Sequence, residues 1–223
     1  TFAEAAPLPN EDDLIARFGV SRTTIREAMK TLASKGIVEI RTKTGTRVRS
    51  RLDWHHTDPE VMVWHYETGP TQQFLDALVD LRRALEPAAA ARAAERATPE
   101  EVAAIERAFA LMCETVEDPV AHARADRAFH GAIFAATHNM IFGGLIDVIA
   151  IAIFGNAILA PANVVEGYRR SLPYHEAVLN AVRRKDPAAA AEAVERLLDT
   201  WRPAPERHRR TVRSAGGRSR LRA

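Results

Sequence analysis

Gly19-Val20-Ser21-Arg22-Thr23-Thr24-Ile25-Arg26-Glu27-Ala28-Met29-Lys30-Thr31-Leu32-Ala33-Ser34-Lys35-Gly36 is the stretch on which the reading of the fold turns. Gly19 is a natural stop for whatever helix precedes it, because a positive φ is cheap for glycine. Ser21 then offers a hydroxyl to an orphan N–H of a new helix. Ile25, Met29, Leu32 and Ala33 recur at helical spacing and make one apolar face. Arg22, Thr23 and Arg26 fall in the first two turns, off that face. This suits the second helix of a helix-turn-helix, whose N-terminal residues reach base edges. The planar fork of arginine can bond two guanine acceptors at once. Gly36 closes the helix.

The flanking residues extend the motif. Leu8 to Phe18 reads as a short helix capped by Asn10, with Glu11, Asp12 and Asp13 in its first turn, where the helix dipole favours acids. Ile37–Arg41 and Thr46–Arg49 read as two strands joined by Thr42-Lys43-Thr44-Gly45. Two helices and a basic hairpin compose a winged helix-turn-helix over residues 1–51.

Charge is distributed unevenly along the chain. Residues 1–51 hold ten lysines and arginines against six acids, 52–201 thirteen against twenty-two, and 202–223 eight against one. Basic ends are the footprint of phosphate binding, and the acidic middle is not. No apolar run is long enough for a membrane span; Leu145–Ile158, the richest, is interrupted by Asp147, Gly155 and Asn156. A lone Cys113 excludes an intrachain disulfide and fits a reducing cytoplasm. Its Ala-rich helical setting suggests a buried small hydrophobe.

Residues 52–70 read as a linker. Pro59 disfavours helix at Asp58, a short helix over 60–64 packs Val61 and Trp64, and the adjacent His55 and His56 cannot share one helix face. From 71 to 201 no segment alternates with period two. Helices are expected over 72–96, 99–116 behind Thr98, 119–137, 141–159, 172–184, and 187–201 behind Asp186, with Pro99, Pro119 and Pro187 at first-turn positions. The chain is therefore mainly α, with an N-terminal winged helix-turn-helix and a C-terminal all-helical bundle of about six helices. The Arg-rich 202–223 has little to bury and reads as a disordered tail.

Inside the bundle, Asp126 and His130 stand at i and i+4, on one helix face. A carboxylate and an imidazole so placed either pair with each other or share a divalent cation. His175 lies on a later helix beside Val178, Leu179 and Val182, and a buried histidine needs a hydrogen-bond partner or a metal. Three ligands and an open position would also suit a zinc enzyme, but no general base stands out nearby, and an enzyme gives no reason for the winged helix. His122 and His138 carry no motif and read as surface residues.

Leu8-Pro9-Asn10-Glu11, Phe18 to Ala28, Lys35-Gly36-Ile37-Val38 and Thr44-Gly45-Thr46 together resemble the GntR family of bacterial transcriptional regulators. The resemblance implies DNA contacts from Arg22, Thr23, Arg26 and Gly45; Ser21, Thr24 and Lys43 complete the candidate DNA-binding set. The family often has Arg where this chain has Asp12, and a further helix before the point where this sequence begins. Asp80 to Glu86, Asp126-Arg127-Ala128-Phe129-His130, Asn139, His175 and Asp186-Pro187 are similar to the FCD effector domain of the FadR-like branch. That likeness implies a Zn²⁺ or similar divalent ion on Asp126, His130 and His175, with Leu197 where the family has a fourth ligand. The site is then either three-ligand, completed by water or effector, or a relic in a metal-independent regulator. Arg82 is implied as a clamp on an effector carboxylate, against pairing with Glu86; Asn139 either lines the pocket or caps the next helix. Asp58 to Trp64 resembles members sensing sugar acids such as galactonate. The expectation is a cytoplasmic homodimer on a duplex operator, a repressor released by a small organic acid.

Overall fold

The computed structural model describes residues 2–41, 45–159 and 163–200, with backbone alone at 156–159. Lys43 and the tail 202–223 lie outside the described residues. The chain divides into two compact units, Thr1–Leu75 and Asp76–Ala223.

In the first unit, helix α1 (Glu11–Phe18) starts where Asn10 accepts from the Asp13 N–H, and stops at Gly19 with φ 66°. Helix α2 (Arg22–Ser34) starts where Ser21 accepts from the Thr24 N–H. Each cap satisfies a donor the helix cannot satisfy itself. Strands β1 (Val38–Arg41) and β2 (Gly45–Val48) pair antiparallel, Val38 opposite Val48 and Arg41 opposite Gly45. The N-terminal segment runs beside β2, with the Leu8 N–H donating to the Thr46 carbonyl at 2.8 Å. Leu14, Ile25 and Val38 are buried beneath this motif. Gly36 is required twice over: its φ is 73°, and a Cβ there would meet the Asp53 carbonyl oxygen at 2.5 Å.

The stretch 52–70 is more than a linker. Helix α3 (Pro59–Glu67) buries Val61, Met62 and Tyr66. Asp58 caps it and also accepts from Lys35 Nζ at 2.7 Å, while Glu60 takes the same ammonium at 2.6 Å. Trp64 is only partly buried. Nor is the histidine pair bare: His56 Nδ1 lies 3.2 Å from His65 Nε2, and His65 stacks on Phe74 at 4.1 Å.

The second unit is built from α4 (Gln72–Arg96) from Asp76 onward, α5 (Pro99–Glu114), α6 (Pro119–Ala135), α7 (Met140–Gly144), α8 (Ile146–Leu159), α9 (Val164–Arg183) and α10 (Pro187–Asp199). Helices α5, α6 and α10 each begin with Pro after a capping Thr98, Asp118 or Asp186. At α5 the cap is a full capping box with Glu101. Helix α5 packs on α6 and α9, α6 on α8, and α9 on α10. Their shared core runs from the alanines Ala89, Ala90, Ala93 and Ala94 through Ile105, Met112, Phe129 and Phe134 to Val178 and Val194.

Three expectations are corrected. The helix expected over 141–159 is two, parted at Leu145 after Gly143 and Gly144, where glycine weakens helix continuation. The helix expected from Leu172 begins at Val164 and carries Pro173 inside it. Proline there forfeits one backbone bond, but burial of Val164, Tyr168 and Ser171 holds the preceding turns in place. Cys113 is exposed, because the inward stripe of α5 is Ile105, Ala108 and Met112, and residue 113 lies about 100° further round the helix.

Candidate metal centre and nucleic-acid interface

Arg22 and Arg26 stand exposed in the first two turns of α2, and the acidic first turn of α1 reaches both. Arg22 Nη2 donates to Asp12 Oδ1 at 2.5 Å, and its Nη1 lies 3.4 Å from Glu11 Oε2. Arg26 Nε donates to both oxygens of Glu11 at 3.1 Å. Ser21 and Thr24 are engaged with each other at the cap, their hydroxyl oxygens 2.9 Å apart. Thr23 is exposed. Gly45 opens β2 with φ 80°. Asp12, read in the sequence as a first-turn acid of α1 standing where the family often has arginine, is thus a direct partner of Arg22; the sequence did not show that the two helices pack so as to bring them together.

In the second unit, Asp126 and His130 on α6 meet His175 on α9. Their ligand atoms all lie within 4.8 Å of one another. His130 Nε2 is 3.3 Å and His175 Nε2 3.4 Å from Asp126 Oδ1. All three side chains are buried. The Nδ1 atoms are held from behind, His175 by the Ser171 carbonyl at 3.0 Å and His130 by Glu86 Oε2 at 3.3 Å. A carbonyl can only accept, so His175 Nδ1 carries the hydrogen and its Nε2 presents a lone pair. Asp126 Oδ1 and His175 Nε2 are then two buried acceptors, and neither has a hydrogen-bond donor among the described residues.

That arrangement fits a cation. Lone pairs converge from oxygen and nitrogen, and their outer partners fix the ring orientation as at metal sites. Burial pushes the Asp126 carboxyl up, but the neighbouring charge, His130 foremost, holds it well below the ordinary range. Burial pushes His130 down, but Glu86 and Asp126 leave it raised, so a proton competes with a cation for the same nitrogen. Leu197, at the fourth family position, is buried at 1% exposure, and its aliphatic side chain offers no ligand.

Arg82 is not on the surface: it is buried, and its Nε donates to Glu86 Oε1 at 2.6 Å. Asn139 caps α7, accepting from the Ile141 N–H at 2.9 Å. His138 is exposed and pairs with Glu101 at 2.9 Å. His122 overturns its reading as a surface residue. It is at 0% exposure, its Nδ1 is 3.0 Å from the Met112 carbonyl, and its ring stacks on Tyr168 at 3.9 Å. The available signal was spacing, since residues 122, 126 and 130 form one stripe of α6.

The description "Bacterial regulatory proteins, gntR family" matches residues 1–48, and the FCD domain matches residues 77–200. The chain belongs to the GntR family. It is 32% identical over 201 residues to the galactonate operon transcriptional repressor of Escherichia coli (strain K12), covering 88% of this chain and 86% of that one. It is 29% identical over 206 residues to the transcriptional repressor NanR of Cronobacter sakazakii, covering 90% and 78%. A solved Streptococcus agalactiae GntR structure superposes with a TM-score of 0.53 at 28% identity, covering 89% of this chain and 90% of that one. This GntR protein is therefore a DNA-binding transcriptional regulator with an FCD effector domain, and its matched domains are those of regulators rather than of enzymes. GntR regulators bind DNA operators and usually act as dimers. Among the described residues no helix is long and apolar enough to cross a membrane.

Proposed function

We propose that this GntR regulator is a cytoplasmic homodimeric repressor of genes for the use of a sugar acid or similar small carboxylate, released from its operator when that acid binds the FCD domain. The converging buried ligand atoms of Asp126, His130 and His175 carry this reading, with Asp126 Oδ1 and His175 Nε2 left without a donor among the described residues. They would hold a divalent ion such as Zn²⁺, and the ion supplies a positive centre for a carboxylate. The name of the relative that represses a galactonate operon points to the acid class.

On the DNA side, Arg22, Thr23 and Arg26 would reach base edges and phosphates, with Ser21 and Thr24 fixing the start of α2, and Lys43 and Gly45 on the wing. Two such units in a dimer would read two half-sites. For release, the acid must bind one arrangement of the dimer better than the other. A metal-independent regulator is the second reading, favoured by Leu197 at the fourth position and by the proton-retaining His130.

Fluorescence anisotropy on duplex DNA from upstream of the protein's own gene tests the proposal, with a scrambled duplex, a salt titration and a sugar-acid panel. Selective binding that weakens with salt, is lost in Arg22→Ala and is relieved by a sugar acid supports it. Equal binding to both duplexes overturns it. If chelator leaves the acid response intact, the second reading replaces the first.

A further inference from the structure

His122 has no part in the ligand set just described, yet its chemistry is defined. Its Nδ1 faces the Met112 carbonyl at 3.0 Å. That oxygen can only accept, so Nδ1 carries the hydrogen and Nε2 keeps its lone pair. Nε2 is buried and meets no donor among the described residues. A buried acceptor left without a donor is unfavourable, so a ligand that brings a donor gains there. Burial pushes the imidazole pKa down, which keeps this acceptor form at neutral pH, and Asp126 and His175 are both close enough to act on it electrostatically.

Direct ligation of the same ion by His122 is disfavoured by geometry. His122 and His130 stand two turns apart on α6, about 12 Å along the axis, and His122 falls outside the group whose ligand atoms cluster within 4.8 Å. The ring lies one turn before Asp126 and is braced flat against Tyr168 at 3.9 Å. That leaves what the ion would hold, rather than the ion itself, as the partner of Nε2.

We infer that His122 Nε2 accepts a hydrogen bond from a hydroxyl group on a metal-held carboxylate, so that this regulator selects hydroxy acids over the corresponding simple acids. The inference rests on the metal reading above. It makes His122 the residue that reads the hydroxyl, while Asp126, His130 and His175 hold the ion.

The probes are zinc alone, then lactate and propionate, which share a carbon skeleton and differ by the α-hydroxyl. Zinc affinity of the full chain is measured by competition with a chromophoric chelator, and acid binding to the zinc-loaded protein by calorimetry. Wild type is expected to bind lactate about tenfold more tightly than propionate, the scale of one buried hydrogen bond. In His122→Asn the amide nitrogen keeps the bond to Met112 but Nε2 is gone; the preference should fall to within about twofold while zinc affinity holds. His122→Gln returns an acceptor oxygen near the Nε2 position and should restore part of the preference.

A His122→Asn protein that keeps the full preference overturns the inference. So does a zinc-loaded wild type that binds the two acids equally, a result that needs no variant to fold. Failure of wild type to bind zinc overturns the metal reading itself and this inference with it, and the chelator competition separates that outcome from the other two.

Discussion

Two clusters of paired charge, one in each unit, behave in opposite ways. Between α1 and α2, Arg22 and Arg26 pair with Asp12 and Glu11 in the open, the arginine side chains more than half exposed. Between α4, α6 and α9, Arg82, Glu86, His130, Asp126 and His175 pair in the interior, each at 8% side-chain exposure or less. Water competes for every group in the first cluster, so its pairs contribute at most about 1 kcal/mol and exchange readily for phosphate. The second cluster is shielded from water, so each member depends on the others or on a bound ion. One cluster is built to let go of its partners; the other is built to hold a charge in place.

The largest expected effect comes from cutting the buried cluster. Glu86→Ala removes the carboxylate facing both Arg82 and His130. Chemical denaturation should show a loss of about 3–5 kcal/mol, the cost of breaking a buried pair from one side. A loss below about 1 kcal/mol would erase the contrast with the surface cluster.

On the DNA side, Arg22→Ala should weaken operator binding by about 1–3 kcal/mol and leave the melting temperature unchanged. A fall in melting temperature without a change in DNA affinity would show that Arg22 serves α1 rather than the operator.

A pH series sharpens the comparison from the buried side. The folded-state pKa of His130 is raised above 6.5 by Glu86 and Asp126 against the opposing effect of burial. Its contribution to metal-free stability is therefore fully present below about 6.5, the unfolded value, and is lost as pH rises through the folded value. Thermal melts of chelator-treated protein should fall across that window. Zinc affinity should rise across it, because the proton leaves the ligand nitrogen. Parallel trends in the two measurements would contradict a shared site.

The smallest effect concerns Asp12. Asp12→Asn should strengthen DNA binding a few-fold, by freeing Arg22 and removing a negative charge near the phosphates, while shifting stability by no more than about 0.5 kcal/mol. Weaker binding in this variant would mean that Asp12 orients Arg22 for the duplex rather than competing with it.

The caps Asn10, Ser21, Thr98 and Asp186 were legible in the sequence, as was the Gly19 stop, because each acts on backbone groups within four residues of itself. The Asp126–His130 pair was legible for the same reason, since one helical turn fixes which side chains are neighbours. The pairing of Arg82 with Glu86 was visible as a spacing, but its burial was not. Helix continuity through Pro173 was hidden, because proline is unfavourable locally and the compensating burial of Tyr168 and Ser171 comes from elsewhere in the fold. His122 and Cys113 were exchanged, inside for outside, because both sit in Ala-containing helices and only the facing helix decides which side is covered.

The sequence alone determined where helices begin, which residues share a helix face, and the family whose regulators this chain joins. The tertiary structure alone decided that His175 meets Asp126, that His122 is sealed against Tyr168, and that Asp12 holds Arg22. Caps and helical spacing act over a few residues along the chain. These contacts join residues 10 to 49 positions apart, so they exist only once helices have packed and excluded water.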